Sequence, residues 1–435
     1  NVMKANYKKK NGGVADLEWK ASFADKRGVL NMSETDMSQL LRQRNFQSEA
    51  TGSFLAFTIP HLMFNLNGKV MFDWQRVSAG LNSLSDASGS EQKTWLLGAF
   101  VSPKILLHFG NRLQWLVYVP VGVKYYHSAD GSLDYDKRFF STCPYSNLTY
   151  KPTGRLSFDL TTICEESMPS VLSQMVLKHF VNYRTTMSNP YQVEIAPNRS
   201  VKLAFTSSYK DIIKMLFGGV TLSYVDARNG NSMGYQVIDD VVNYIVQPQS
   251  TKNRVWQIEQ TVAKGFFRWN SKITESISIG TSRSEYYIGG DCHDGRSDYL
   301  QAKISYVASV RKWLNLSISN DYSVSKPYTD GKASGEVYRT FMNASSFTFW
   351  LGKQLNVVPS VQYYHNNYFS SGRNNVFLNT VMEYYWGNAT LSLKCTNLLD
   401  RRTFHRIIDN GITRYSGEYQ LRGRTILFGI RIKII

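Results

Sequence analysis

The chain ends on RGRTILFGIRIKII (residues 422–435), in which every second residue from position 426 onward is apolar. This spacing is typical of a β-strand, because successive side chains of a strand point to opposite faces. One face consists of Ile426, Phe428, Ile430, Ile432 and Ile434, and the other of Leu427, Gly429, Arg431 and Lys433. The stretch predicts a terminal strand. A strand of a soluble sandwich would show the same pattern, so its setting depends on the rest of the chain.

The same alternation recurs along almost the whole chain. Residues 115–125, 201–206, 314–319 and 391–396 all alternate apolar with polar or small side chains. No apolar run approaches the roughly 18 residues of a membrane-spanning helix. The pattern predicts an all-β protein. The one helix we expect is a short one over Ser167–Val181, folded into an external loop, with Leu172 and Met175 on its apolar side.

The connections between these segments alternate in length. Tight-turn sequences lie at Asp25–Gly28, Asn65–Gly68, Phe109–Asn111, Lys151–Gly154, Lys210–Ile212, Trp269–Lys272, Val310–Lys312, Gly352–Gln354 and Trp386–Asn388. Longer polar connections lie between them, at Ser33–Ala50, Ser78–Lys93, His127–Lys137, Glu165–Tyr191, Ala227–Gly234, Arg283–Asp298, Lys326–Gly335, Ser370–Asn374 and Asn397–Ser416.

Turns that are tight at one end of a sheet and long at the other are typical of an outer-membrane β-barrel. We therefore predict a transmembrane antiparallel β-barrel in the bacterial outer membrane, with short periplasmic turns and long extracellular loops. The turns imply about twenty strands, with an error of about two either way. In such a barrel Arg431 and Lys433 line the lumen, because in lipid each would cost about 2–4 kcal/mol at the midplane.

Composition and motifs argue against other functions. The net charge is +17, but Lys and Arg are scattered and no nucleic-acid-binding motif occurs, so we do not expect nucleic acid as a partner. No GxSxG, HExxH, P-loop or GxGxxG pattern occurs and the 7 His are isolated, so we expect neither an enzyme nor a cofactor. The 4 Cys form no CxxC pair, so no zinc framework is implied.

One polar cluster, DCHDGRSD at residues 291–298, is a weak candidate for a cation site through Asp291, His293, Asp294 and Asp298. Its spacing differs from that of an EF-hand loop, and polar residues around a glycine are usual in turns. We therefore assign no metal. Loop aromatic residues such as Tyr286 are interpreted as anchors at the membrane interface, with stacking on a ligand as the alternative.

Two C-terminal segments carry a more specific signal. The run LKCTNLLDRRTFHRI (393–407), a polar loop and YQLRGRTILFGIRIKI (419–434) resemble the end of TonB-dependent receptors and related outer-membrane β-barrel proteins of Bacteroidota. The matching motif positions are Asn397, Leu398, Leu399, Asp400, Arg401, Leu421, Arg422 and Arg424. Residues 145–171 and 183–209 are similar to the central region of that family. The resemblance covers about residues 138–435, and residues 1–137 agree by strand pattern alone.

The resemblance implies a barrel of about 22 strands around a plug, of which this chain would supply about twenty. It implies energised uptake of a large nutrient, such as a glycan, a peptide or a metal chelate, through movement of the plug. It also implies an assembly signal in the last strand, formed by Phe428, Gly429, Ile430, Ile432 and Ile434 and read by the barrel-assembly machinery. Further implied partners are outer-membrane lipid and lipopolysaccharide, the plug domain, the TonB complex and a surface lipoprotein. The family's signal, TonB box and plug have no counterpart in this sequence. We therefore expect residues 1–435 to be one barrel domain, the C-terminal portion of a longer receptor.

Two alternatives stay open at this point. One is a passive or structural outer-membrane barrel that works without TonB. The other is a soluble all-β adhesion or binding protein.

Overall fold

The computed structural model describes residues 2–8, 14–32, 37–82, 87–130, 134–176, 178–182, 185–238, 241–367, 373–409 and 414–433. These residues form a 26-stranded sheet and a separate two-stranded ribbon. Neighbouring strands of the wall pair antiparallel. None of the described helical segments has the length and apolarity needed to cross a membrane.

The first part of the sheet consists of β1 (Val2–Lys8), β2 (Val14–Met32), β3 (Met37–Ile59), β4 (Leu62–Asn82), β5 (Ala87–Phe109), β6 (Leu113–Tyr118), β7 (Val121–Ala129), β8 (Asp134–Thr142), β9 (Tyr145–Tyr150) and β10 (Leu156–Ser167). The middle part consists of β11 (His179–Asn182), β12 (Thr185–Ser188), β13 (Asn198–Asp211), β14 (Leu216–Asn229), β15 (Ser232–Ile238), β16 (Val241–Gln247), β17 (Thr251–Phe266) and β18 (Ser271–Ile288). The last part consists of β19 (Asp291–Arg311), β20 (Leu314–Thr329), β21 (Lys332–Ala333), β22 (Tyr338–Leu351), β23 (Leu355–Asn366), β24 (Asn374–Trp386), β25 (Ala389–Thr396), the ribbon strands β26 (Thr403–Asp409) and β27 (Arg414–Gln420), and β28 (Thr425–Ile432). Single 3-10 turns lie at Val171–Gln174 and Phe267–Trp269.

Two predicted tight turns are wrong. Asp25–Gly28 lies inside β2, where Gly28 pairs with Leu41 and Asp25 forms an ion pair with Arg42 across the strands at 2.5 Å. Asn65–Gly68 lies inside β4, and the chain reverses instead between β3 and β4. Cross-strand pairing therefore satisfies polar and glycine residues that look like turn residues. The other predicted turns lie at or next to observed reversals.

Several of the predicted long connections are shorter than expected, because the strands continue into them. β3 and β5 each have 23 residues, whereas a tilted strand crosses a bilayer in about 9–11. Most of the predicted connection Ser33–Ala50 is therefore strand. In this part of the sheet the strands extend well beyond the thickness of a membrane, and ion pairs such as Arg76–Glu91 lie on the extension.

The two faces of the sheet differ in chemistry. One row across four neighbouring strands consists of Phe205, Leu222, Ile258 and Ile279, each 42–51% exposed. The next row, on the opposite face, consists of Thr206, Thr221, Glu259, Ser278 and Gln301. We call these the outer and the inner face. An apolar face in direct contact with its surroundings is the pattern of a barrel wall in lipid.

The solvent-accessible surface area of the chain agrees with a wall that is one sheet thick. The chain exposes 26925 Å², whereas a compact protein of 49.7 kDa would expose about 17,000 Å². A wall one sheet thick cannot bury its outer face by itself. The small buried apolar cluster of Val77, Val171 and Met175 lies on the inner face, under the segment described next.

The connection between β10 and β13, residues 168–197, folds against the inner face, and we call it the strap. The helix predicted over Ser167–Val181 is wrong: one 3-10 turn, Val171–Gln174, takes its place, and β11 follows. β12 of the strap pairs in parallel with β16, so the strap and the β15–β16 hairpin form one unit. Tertiary contacts with the wall, rather than a helical repeat, fix the backbone here.

Candidate functional site

The strap is anchored by apolar contacts to β4, which is separated in the sheet from β10 by β9, β6 and β5. Val77 of β4 and Met175 are both 0% exposed, and Val171 is 4% exposed. Leu41 and Ala79 of the wall and Leu172 of the strap complete the cluster. Residues separated by about a hundred positions in the sequence therefore meet. The sheet must curve around the strap for β4 and β10 to reach it together.

A buried polar network holds the same part of the strap. The Oε1 atom of Gln174 accepts hydrogen bonds from the Tyr126 hydroxyl at 2.5 Å and from the Ser128 hydroxyl at 2.9 Å. The Nε2 atom of Gln92 donates to Ser128 at 2.7 Å. The Oε1 atom of Gln92 and the Nε2 atom of Gln174 are buried without a hydrogen-bond partner, so the three bonds above fix the strap, and loss of any of them would leave a further desolvated group behind.

The remainder of the strap has anchors of its own. The side chain of Gln39 in β3 forms two hydrogen bonds with the backbone of Phe180. Its Nε2 atom donates to the Phe180 carbonyl oxygen at 2.8 Å, and its Oε1 atom accepts the Phe180 N–H at 2.6 Å. Near the other end, Lys137 forms an ion pair with Glu194 at 2.8 Å. The strap thus crosses the inner face and is fixed to β3, β4, β5, β7 and β8.

Beneath the strap lies a cavity of about 690 Å³. Its charged and amide lining comes from Lys69, Asp73, Gln75, Lys124, Glu165, Glu166 and Gln174, and its apolar lining includes Met71, Leu96, Phe100, Met168, Pro169 and Val171. Cavities of this size, mostly apolar with a few polar groups, are typical ligand sites. None of these lining residues was predicted as a site residue, because they come from strands far apart in the sequence.

One ion pair dominates the electrostatics of the cavity. The Nζ atom of Lys124 lies 2.6 Å from the Oε1 atom of Glu166, and both side chains are only 9% exposed. Removal of either partner would leave the other charge buried and unpaired, which is strongly unfavourable. Glu166 lies two residues before the strap begins, so this pair connects the root of the strap to the wall.

The two C-terminal motifs bind each other. Asn397 is 8% exposed, and its Nδ2 atom donates to the carbonyl oxygens of Arg401 at 2.7 Å and Arg422 at 3.0 Å. Asp400 accepts the backbone N–H of Arg424 at 3.0 Å, and the Arg424 guanidinium donates to the Leu398 carbonyl at 3.0 Å. The backbone N–H of Leu421 donates to the carbonyl of Arg402, and Leu399 is 48% exposed.

The backbone explains why Asn and Asp occupy these motif positions. Asn397 has φ 53° and Asp400 has φ 51°, and such left-handed conformations are tolerated best by Gly, Asn and Asp. The motif therefore forms a turn that ties the end of β25 to the start of β28.

The last strand lies where the sequence predicts it. Ile426, Phe428, Ile430 and Ile432 are 60–67% exposed, and Phe428 and Ile430 lie opposite Leu393 and Leu391 of β25. Arg431 lies opposite Thr390, on the face that carries Tyr385, with which it interacts electrostatically. The backbone N–H of Lys433 donates to Asn388. Ile434 lies outside the described residues. The assembly signal and the luminal position of Arg431 and Lys433 stay predictions.

The side chains of the polar cluster at residues 291–298 do not face one common site. Residues 291–298 form the start of β19, so Asp291 and His293 lie on one face and Asp294 and Asp298 on the other. Asp298 forms an ion pair with Arg296 at 2.7 Å. Within the described ranges, no group of three or more His, Cys, Asp or Glu side chains is placed to hold a metal ion.

The partner of His293 is a carboxylate in the next loop. Its Nδ1 atom lies 2.8 Å from Asp330 in the next loop. This hydrogen bond, together with one from the backbone N–H of Asp294, holds the pKa of Asp330 below its usual value. The interpretation of Tyr286 as an interface anchor is wrong: Tyr286 is 7% exposed and stacks on Tyr235 and His293.

Comparisons with known proteins give similarity of fold. No protein-family model and no curated protein sequence matches the chain. The structure of the FpvAI–pyocin S2 complex matches with 8% identity and a TM-score of 0.52 over 99% of this chain and 56% of that one. The copper transporter OprC matches with 8% identity and a TM-score of 0.53 over 99% and 79%. The chain thus spans little more than half of the first of these structures.

These observations define a class of protein. The antiparallel wall, its apolar outer face and the similarity to these structures are those of an outer-membrane β-barrel, and the predicted fold class is confirmed. The chain is a protein of the bacterial outer membrane, and one of the two structures that it resembles in fold is described as a copper transporter. The inner face carries a cavity roofed by the strap.

Proposed function

We propose that this chain is the barrel of an outer-membrane transporter of the TonB-dependent-receptor kind, with residues 1–435 as one barrel domain. The observation that carries the proposal is the cavity of about 690 Å³ on the inner face, closed over by the strap. A cavity of mixed apolar and charged lining inside a barrel, roofed by a loop, suits a protein that holds a solute before release. The neighbour OprC is described as a copper transporter, which favours transport over catalysis.

The groups that line the cavity indicate the chemistry of the solute that it suits. Lys69 and Lys124 contribute positive charge, Asp73 and Glu166 negative charge, and Phe100 and Met71 apolar surface. A large nutrient such as a glycan, a peptide or a metal chelate offers matching groups. Energy for uptake would come from a plug and the TonB complex, and a surface lipoprotein is a proposed partner at the extracellular side.

The last strand has a separate proposed role in biogenesis. Phe428, Gly429, Ile430, Ile432 and Ile434 form the proposed signal for the barrel-assembly machinery. The exposed apolar row on β28 and its pairing with β25 support this role. Lipid and lipopolysaccharide are the proposed surroundings of the outer face.

Uptake measurements test the proposal. Cells with and without the intact gene are supplied with labelled oligosaccharides, peptides and ferric or cupric chelates, before and after loss of TonB. We expect gene-dependent uptake of one class that ends when TonB is removed. Uptake that needs the gene but continues without TonB would favour the passive barrel instead. Recovery of the protein in the soluble fraction would contradict a membrane transporter.

A further inference from the structure

Two cysteines meet where the wall separates. The ladder between β9 and β10 ends at the pair Tyr145–Ile163. One more backbone bond follows, from the N–H of Cys164 to the carbonyl of Pro144 at 3.1 Å. Beyond that point β10 continues along β13 up to Ser167, and β8 continues along β7. Pro144 contributes to the break because it has no N–H to donate to a ladder.

Cys143 and Cys164 lie on the two sides of this break. Cys164 is 8% exposed and its Sγ atom lies 3.9 Å from the carbonyl oxygen of Thr142, the residue before Cys143. The Cys143 and Cys164 thiols lie within hydrogen-bonding reach of each other. Both residues line the cavity beneath the strap, and in the structure both are thiols.

We propose that Cys143 and Cys164 form an intrachain disulfide in the mature protein. A disulfide joins Cα atoms about 4.4–6.8 Å apart. The bond between Cys164 and Pro144, the neighbour of Cys143, brings the two backbones to the spacing of adjacent strands, about 4.7–4.9 Å. The remaining cysteines have no such arrangement: Cys292 is exposed at the start of β19, and Cys395 lies in β25.

The chemistry is thiol–disulfide exchange. One cysteine thiolate attacks the disulfide of a periplasmic thiol oxidoreductase and forms a mixed disulfide. The thiolate of the second cysteine then displaces the oxidoreductase, which leaves as a dithiol and carries the two protons from the cysteines. The proposal rests on the outer-membrane location, because such oxidants act in the periplasm and not in the reducing cytosol.

The bond would fix the root of the strap. Cys164 lies two residues before Glu166, whose ion pair with Lys124 closes the cavity wall. A covalent link to Cys143 holds β10 against the neighbouring strand at the point where hydrogen bonding between them stops. The strap then begins from a fixed position, and the cavity keeps its shape.

Peptide mapping tests the proposal. The protein is extracted from outer membranes in N-ethylmaleimide, which blocks free thiols, and digested with trypsin without reduction. We expect residues 139–155 to be linked to residues 156–178, two hydrogens lighter than the sum of the separate peptides. Reduction should release both peptides. Cys292 and Cys395 should carry maleimide and serve as internal controls.

The variant Cys143→Ser gives the matched control, since peptide 156–178 should then carry maleimide at Cys164. Maleimide on both Cys143 and Cys164 of the unreduced natural protein would overturn the proposal. If the protein is absent from the outer membrane, the proposed function fails instead. In that case the full chain, refolded in detergent with a glutathione redox buffer, is mapped in the same way. Linked peptides at a reducing ratio that leaves Cys292 and Cys395 as thiols support the proposal, and their absence at every ratio contradicts it.

Discussion

The Nδ2 atom of Asn397 donates a hydrogen bond to the backbone carbonyl of Arg422 at 3.0 Å, across a crossover of about twenty-five residues. The same amide group also bonds the backbone of Arg401 through both its nitrogen and its oxygen. One buried side chain therefore joins the end of β25 to the segment that leads into β28. The position of β28, the last strand, depends on this contact.

Asn397→Ala should destabilise the C-terminal part of the barrel by about 1–3 kcal/mol, because it leaves buried backbone groups without partners and places Ala at a positive φ. The measurement is the midpoint of urea unfolding in detergent, followed by tryptophan fluorescence. Asn253→Ala, at an exposed position in β17, is the control and should change the midpoint little. Equal midpoints for both variants would contradict the role of Asn397.

Met175→Ala should loosen the strap. Met175 is fully buried against Val77, and removal of such a side chain costs about 2–5 kcal/mol. Hydrogen exchange of the strap should become faster, while exchange in β17–β20 stays unchanged. Met342→Ala, at a half-exposed position, is the matched control. Unchanged protection of the strap in Met175→Ala would show that the apolar cluster does not hold it.

The hydrogen bond from the N–H of Asp294 to the Asp330 carboxylate should weaken at acid pH. The hydrogen bonds from His293 and Asp294 lower the pKa of Asp330 in the folded loop, so their stabilising contribution is present above the ordinary carboxyl pKa of about 3.9. It is lost as the pH falls through the lower pKa of the folded state. Hydrogen exchange of the Asp294 amide, corrected for its intrinsic rate, should show protection at pH 5 that is lost only as the pH falls below the ordinary carboxyl pKa of about 3.9. Asp330→Asn is the control, and the same pH profile in both proteins would exclude this carboxylate.

A positive charge introduced on β28 should impair assembly on the outer face and be tolerated on the opposite face. Ile430→Arg places a charge on the outer face, where it costs about 2–4 kcal/mol at the membrane midplane, and should reduce assembly. Leu427→Arg places the same charge on the opposite face, beside Lys394, and should assemble. Heat-modifiable gel migration measures the folded fraction. Loss of folding in Leu427→Arg alone would reverse the assignment of the faces.

Local alternation is sufficient to predict the wall. The period of two around Ile426–Ile432 and Val201–Phe205 depends only on which side each residue faces, and that is a property of the strand itself. Turn chemistry is less reliable. Asp25–Gly28 looks like a turn, but its charge is paired across the strands with Arg42, and a cross-strand partner is not visible in a single segment.

The site could not be predicted for a related reason. Met175 and Gln174 take their conformation from Val77, Gln92 and Tyr126, which lie on other strands, so the helical spacing around Leu172 was misleading. The cavity exists only once the sheet curves around the strap. The C-terminal motif was found through its family resemblance, whereas the hydrogen bonds that explain Asn397 and Asp400 required the fold.

The central claim is that the strap lies inside the barrel wall and roofs the cavity. A direct measurement uses Val77→Cys together with Met175→Cys in a chain whose natural cysteines are replaced by Ser. The protein is taken from outer membranes and oxidised, and the linked peptides 77–93 and 156–178 are sought after trypsin digestion. Val77→Cys with Ile213→Cys, which lies in a turn and is 80% exposed, is the control pair. We predict a link for the first pair and none for the second. A Met175→Cys thiol that reacts freely with a membrane-impermeant maleimide and forms no link to residue 77 would contradict the account.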